Sequence, residues 1–347
     1  MADSKVKTLD LALQGGGAHG AFTWGVLERL LEDDRIEIAG ISGASAGALN
    51  ATILAYGLVS GGRDGARHAL WAFWKSVSRA ASGGAIPYPI LASIFTPWIR
   101  TQVAASYLSD VSGLLSPYQF NPLNLNPLHD ALENQIDFDA IKSPEAPKLF
   151  VSATDVRTGA TRLFRNSELS ADALMASACL PMLFQAVDIG GDAYWDGGYV
   201  ANPPILPLIE ESPASDLMLV TVNPSRRDSV PRLPNEIVGR LNEIIFNANL
   251  ISQMRAVAIL KQQLEMDRVP PPRYSQALFR QVKRLRAHRI HDDAELAKLE
   301  PHSKTNAEWR FFIRLHGIGY RAADAWLDAH FEELGKRATL DLATAYC

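Results

Sequence analysis

The chain has 347 residues, of which 47% are apolar and 21% charged, a globular balance that excludes disordered and collagen-like chains. A net charge of −4 gives nucleic-acid binding no support, and the two cysteines, Cys179 and Cys347, exclude a disulfide framework and a CxxC redox pair. The length predicts two domains, or one of about 200–250 residues with an extension.

The apolar run behind Met1–Thr8 stops at Gln14, too short for a signal-peptide core, so an intracellular type of chain is expected. Val6–Leu13 reads as a strand and Gly15–Gly20 as a loop. Phe22, Val26, Leu27, Leu30 and Leu31 then recur at a helical period within Ala21–Leu31. Ile36–Ile41 reads as a second strand and Ala46–Leu58 as a second helix. Ile38–Gly62 carries no charge and is long enough to suggest a membrane span, but Ser42, Gly43, Ser45, Gly47 and Asn50 interrupt it. A strand, a turn and a helix are expected there instead, and no transmembrane helix.

Gly83–His129 holds only Arg100 and Asp110 as charges and is rich in Pro, aromatics and Leu. It reads as an apolar insertion that packs on the core or a subunit, or that forms a lid or groove for an apolar ligand. Further strands are predicted at Lys148–Ala153, Thr161–Phe164, Ala186–Ile189 and Leu217–Val222. Strands alternating with helices predict an α/β fold with a parallel sheet covered on both faces. Turn-formers near 225–235 mark a boundary: residues 1–234 carry 17 Lys and Arg against 24 Asp and Glu, and residues 235–347 carry 17 against 14. The expected division is therefore a first domain over 1–234 and a mostly helical extension over 235–347. Within the extension, Arg268–His291 is basic and free of acids. It reads as a solvated face, or as a contact with anionic lipid headgroups.

Two glycine-rich segments carry the chemistry. Gly15-Gly16-Gly17-Ala18-His19-Gly20 joins a strand to a helix, but the second strand ends in Ile41-Ser42-Gly43, without the acid that a dinucleotide site needs. Gly43-Ala44-Ser45-Ala46-Gly47 matches G-x-S-x-G at a predicted strand-to-helix junction, where a sharp turn exposes a serine hydroxyl at a helix N-terminus. If Ser45 attacks an acyl carbonyl, the amides of Gly16, Gly17 and Ala18 are candidate donors to the oxyanion. A base is also required. His288, His291, His302, His316 and His330 all lie in the C-terminal part, whereas Tyr194-Trp195-Asp196-Gly197-Gly198 closes a strand-like segment with a carboxylate among aromatics.

Gly15–Gly20, Gly43–Gly47 and Asp196-Gly197-Gly198, in this order, resemble the patatin-like phospholipases. The similarity extends to Ala153-Thr154-Asp155 with Thr158-Gly159, to Ser177-Ala178-Cys179-Leu180-Pro181 and to Asn202-Pro203-Pro204, and it covers about residues 6–210. The resemblance implies a three-layer α/β/α domain with a mainly parallel central sheet. It implies a Ser–Asp dyad, with Ser45 as nucleophile and Asp196 as base, and a loop of Gly15, Gly16, Gly17 and Ala18 as the oxyanion hole. Gly20, Gly43, Gly47, Gly197 and Gly198 would support these motifs. Neither a metal nor a cofactor is required.

The expected activity is hydrolysis of a phospholipid or other lipid acyl ester through an acyl-enzyme. The alternatives are a catalytically weak lipid- or granule-surface binding protein and a hydrolase using a C-terminal histidine. The expected partner is a lipid or acyl-ester substrate, and the expected location is cytoplasmic, peripheral at a lipid surface through Arg268–His291. The family loop commonly carries Arg or Lys where this chain has His19, a group expected to be partly charged near neutral pH. That departure bears on rate and pH dependence more than on reaction type.

Overall fold

A computed structural model describes residues 6–82, 116–122, 124, 126–182, 184–227, 229–267, 270–299, 303–304 and 306–347. Most of the apolar insertion expected over Gly83–His129 lies outside the described residues. Its described end is tied to the main body, since Gln185 Nε2 donates to the Asn121 carbonyl at 2.7 Å and the Ala186 amide to the Tyr118 hydroxyl at 3.2 Å.

Eight described strands form one sheet: β1 (Lys7–Leu13), β2 (Ile36–Gly43), β3 (Lys148–Asp155), β4 (Thr161–Arg165), β5 (Val187–Ile189), β6 (Asp192–Asp196), β7 (Asp216–Val220) and β8 (Arg286–Ile290). Their order is β5-β6-β3-β2-β1-β7-β8, with β4 also paired to β3. The centre, from β3 through β8, is parallel, and the β3–β4, β3–β6 and β5–β6 pairs are antiparallel. The longer helices are α1 (Gly20–Leu31), α2 (Ala46–Ser82), α3 (Pro127–Gln135), α4 (Ala171–Ser177), α5 (Pro234–Met266), α6 (Ala277–Arg284) and α7 (Trp309–His330). Helix α2 is broken at Gly61 and Gly62, and the latter has a φ of 63°, so the helix expected over Ala46–Leu58 is its first segment.

The pleat sorts the core into two faces. Leu9, Leu11 and Leu13 of β1, with Met218 and Val220 of β7, face a cluster containing Phe22 and Trp24 of α1 and Trp74 of α2. Ala12, Leu217 and Leu219 face the opposite cluster, with Leu250 and Met254 of α5 and Val282 of α6. Alternation along buried strands with apolar helices on both sides gives three layers. Among the described residues no helix is long and apolar enough to cross a membrane. The charge-free stretch Ile38–Gly62 is taken up by β2 and the start of α2.

The C-terminal region is mostly helical, as expected, but it is built into the domain rather than appended to it. Strand β8 extends the sheet beside β7. Helix α7 lies against α1 so closely that a Cβ on Gly25 would stand 1.9 Å from the His316 carbonyl oxygen, and one on Gly319 2.0 Å from that of Phe22. Arg286-Ala-His-Arg-Ile290 reads as polar in sequence, but each of its charges meets a partner. Arg286 pairs bidentately with Asp216, and His288 Nε2 contacts the same carboxylate at 3.0 Å. Although burial opposes ionisation, the His288 and Arg286 side chains and the Gly335 amide hold Asp216 well below the usual carboxylate range.

The basic stretch Arg268–His291 is therefore not the continuous solvated face expected of it. Arg280 donates to the carbonyls of Tyr274 and Ser275, Lys283 to that of Leu264, and Arg289 to Thr221 and Asp293. Arg273 and Arg284 are exposed, and Arg268 lies outside the described residues.

Candidate active site

Strand β3 sets the spacing of the site. Its Val151 pairs with Gly43 at the end of β2, and its Ala153 pairs with Asp196 at the end of β6. Val151 and Ala153 are two residues apart along β3, about 7 Å, with β2 and β6 on its two sides. The turn after Gly43 and the last residue of β6 thus converge on the same place in the fold.

Ser45 sits between β2 and α2 with a φ of 52°. A non-glycine residue holds this left-handed conformation at a cost of about 1–3 kcal/mol, so the surrounding structure must impose it. The Ser45 amide is oriented by Ser177, donating to its hydroxyl at 3.0 Å and its carbonyl at 3.2 Å. Gly43 and Gly47 are required by packing: a Cβ would fall 2.5 Å from the Gly47 carbonyl carbon in the first case and 2.2 Å from the Leu13 oxygen in the second.

Asp196 is wholly buried. Its amide donates to the Cys179 carbonyl at 2.7 Å, and its carbonyl accepts from the Thr154 hydroxyl at 2.7 Å. Its Oδ1 accepts from the Gly198 amide at 2.6 Å, while Oδ2 has no hydrogen-bond partner among the described residues. Burial pushes the carboxyl up to about 7, against the Gly198 amide and the Ser45 hydroxyl, both of which favour the charged form. The Ser45 side chain thus lies close to this carboxyl, although no hydrogen bond joins the two among the described residues. Gly197 packs on the Ser152 carbonyl, and Gly198 packs under Phe246 of α5.

The glycine loop lies against Ser45, since a Cβ on Gly15 would stand 2.4 Å from the Ala44 oxygen and 2.9 Å from the Ser45 Cβ. Not all of its amides are free. The Gly15 amide donates to Asn202 Oδ1 at 2.7 Å, which removes it from the expected oxyanion donors. The amides of Gly16, Gly17 and Ala18 carry no hydrogen bond among the described residues, as befits the first turn of the 3-10 segment Gly17–His19. Gly17 has a φ of 60°, which favours glycine, and Gly20 packs on Ala46 and Trp74.

His19 departs from expectation. It is buried, its Nε2 lies 2.8 Å from the Ser303 hydroxyl, and burial together with the charge of Lys304 pushes it down to about 3. It is neutral at physiological pH, not partly charged.

The other described histidines of the C-terminal part are engaged elsewhere. His288 bridges Asp216 and Thr339, His291 pairs with Asp293, His316 with Glu28, and His330 stacks on Trp326. None is bonded to Ser45. His302 lies outside the described residues.

The sequence did not assign roles to Ser177, Cys179, Thr154 and Asn202, although all four fall inside the motifs that carry the resemblance. In the fold they are the brackets that hold Ser45, Asp196 and Gly15. Asn223 and Lys304, which meet at the glycine loop, gave no sequence signal of a role in the site, Asn223 reading only as a turn-former.

Among known proteins, a family model described as patatin-like phospholipase matches residues 11–209. No match was found among curated proteins. Among solved structures, VipD from Legionella pneumophila is similar at 17% identity with a TM-score of 0.45, over 94% of this chain and 67% of that one. The heterodimeric ExoU–SpcU complex from the type III secretion system of Pseudomonas aeruginosa is similar at 16% identity with a TM-score of 0.33, over 98% and 74% of the respective chains. With its family match spanning more than half of its length, the chain belongs to the patatin-like phospholipase family.

Proposed function

We propose that the protein is a serine-dependent lipid acyl hydrolase working through a Ser45–Asp196 dyad and an acyl-enzyme; the family assignment supports the coarser reading, a lipid hydrolase. The observation that carries the finer reading is the buried Asp196 carboxyl, with Oδ2 unpartnered, beside a serine held in a left-handed turn. In the reaction, Ser45 Oγ bonds to the acyl carbon while its proton passes to Asp196 Oδ2. The carbonyl oxygen takes up negative charge against the free amides of Gly16, Gly17 and Ala18. Collapse breaks the ester bond, and the leaving alcohol receives the proton from Asp196. Water then attacks the acyl-enzyme with Asp196 again accepting a proton, and the fatty acid leaves as Ser45 Oγ is reprotonated.

A carboxylate raised to about 7 is a better base near neutral pH than an ordinary one. Activity limited by this group rises as pH rises through about 7, because only the ionised carboxylate can accept the proton. Residues 1–234 supply the reacting groups, and the region from 235 onward completes the site through Phe246 over Gly198. Contact with an anionic lipid surface through the basic stretch falls to its exposed members, Arg273 and Arg284.

The test is Ser45→Ala. It should abolish turnover of short acyl esters and labelling by a fluorophosphonate while leaving the circular dichroism unchanged. Labelling of wild type also separates this reading from a catalytically weak lipid-binding protein, which would not react. Retained turnover in the folded variant would exclude Ser45 as nucleophile. Product profiling by mass spectrometry on a mixed lipid extract, wild type against variant, identifies the acyl ester.

A further inference from the structure

At the glycine loop, three groups form a chain of hydrogen bonds. The Lys304 ammonium donates to Asn223 Oδ1, and Asn223 Nδ2 donates to the Gly15 carbonyl at 3.0 Å. The amide orientation is forced by chemistry, because an ammonium only donates and a carbonyl only accepts. The Asn223 backbone is fixed as well, its amide donating to Gln14 Oε1 at 3.0 Å. The Gly15 carbonyl and the Gly16 amide belong to one peptide unit. A donor that polarises the carbonyl therefore makes the Gly16 N–H a stronger donor on its other side, since linked hydrogen bonds strengthen one another.

We propose that Lys304 is a positioning residue that strengthens the Gly16 oxyanion donor through Asn223 and the Gly15–Gly16 peptide. The inference rests on the dyad reading above and adds a charge to it that comes from far along the chain.

The surroundings support a charge placed here for an electrostatic purpose. Among the described residues Lys304 makes no ion pair, and Glu243, whose charge acts on it, is itself paired with Arg227 and Arg240. His19, on the loop itself, faces the same cluster and is neutral. Among the described residues the charged groups acting on Lys304 are Glu243 of α5 and Arg227 after β7, with the neutral His19 beside it, and Glu243 is further paired with Arg240, which leaves an excess of positive charge. Burial lowers Lys304 to about 8, with Glu243 opposing and Arg227 reinforcing the shift. The ammonium therefore loses its charge as pH rises through about 8, and the relay weakens with it.

The experiment compares the full-length wild type, Lys304→Met and Lys304→Arg by two readouts. The first is the pH dependence of kcat on a short acyl ester. Wild type should lose activity on an alkaline limb near pH 8. Lys304→Met should show about tenfold lower kcat with little change in KM and no such limb, a fraction of the loss expected from deleting a whole oxyanion donor. Lys304→Arg should restore most of the rate and shift the limb upward. The second readout needs no turnover: in glycine-labelled protein, the Gly16 amide resonance should titrate near pH 8 in wild type and stay flat in Lys304→Met.

An active enzyme whose alkaline limb and Gly16 resonance are both indifferent to Lys304 overturns the relay. An inactive wild type whose Gly16 amide still titrates instead overturns the dyad reading and leaves the relay standing. If Lys304→Met fails to fold, the wild-type titration and the arginine variant still decide.

Discussion

Asp196→Asn separates the catalytic role proposed for this carboxylate from its effect on stability. Folding moves its pKa from an ordinary 3.8 to about 7, mainly through burial. Between these values the unfolded carboxyl is ionised while the folded one keeps its proton, so the native state binds more protons and its stability falls as pH rises. The stability contributed by the neutral carboxyl is present at low pH and lost as pH rises through about 7. Each tenfold gain in proton affinity corresponds to about 1.36 kcal/mol. Going from pH 5 to pH 8 crosses about two pH units of this window, so wild type should lose about 3 kcal/mol that the variant keeps. Asp10, which burial likewise pushes up to about 7, contributes equally to both proteins and cancels. The assay is urea unfolding followed by tryptophan fluorescence, wild type and D196N at both pH values, scored as the pH dependence of their difference. Any fixed cost of the new amide cancels in the same way. The variant should also be inactive on acyl esters at both values. A difference that changes by less than about 1 kcal/mol would show that the carboxyl is not desolvated as described.

The glycine loop and the helix contact make two further predictions. Gly15→Ala forces a Cβ to within 2.4 Å of the Ala44 oxygen, so the loop must move away from Ser45; acyl turnover should fall about 100-fold with the fold retained by circular dichroism. Unchanged turnover would mean that the loop does not take part. Gly319→Ala places a Cβ 2.0 Å from the Phe22 oxygen at the α1–α7 contact and should cost about 1–3 kcal/mol in denaturant unfolding. An unchanged unfolding midpoint would show that α7 is not docked on α1 as seen.

Much of the fold was readable because local physics produces it. The runs of β1, β3 and β7 are mostly buried on both faces, and such strands announce themselves as short, mainly apolar segments. The helical period of α1 survives because one face must meet the sheet. Where the reading failed, the deciding contacts were remote. Strand β8 contains Arg286, His288 and Arg289, and nothing local reveals that Asp216, 70 positions before Arg286, pairs with the first two. The basic stretch looked free because its partners, the carbonyls of Leu264, Tyr274 and Ser275, carry no sequence signature.

The amino-acid sequence by itself determined the run of strands and helices up to β7, the serine turn and the glycine-rich segments, because these follow from periodicity and turn chemistry. The tertiary structure alone decided that Asp196 is buried close to Ser45, that the Gly15 amide is taken by Asn202, and that His19 is neutral while Lys304 reaches the loop through Asn223. Proton affinity and hydrogen-bond availability depend on which distant groups share a buried volume, and only the folded chain sets that.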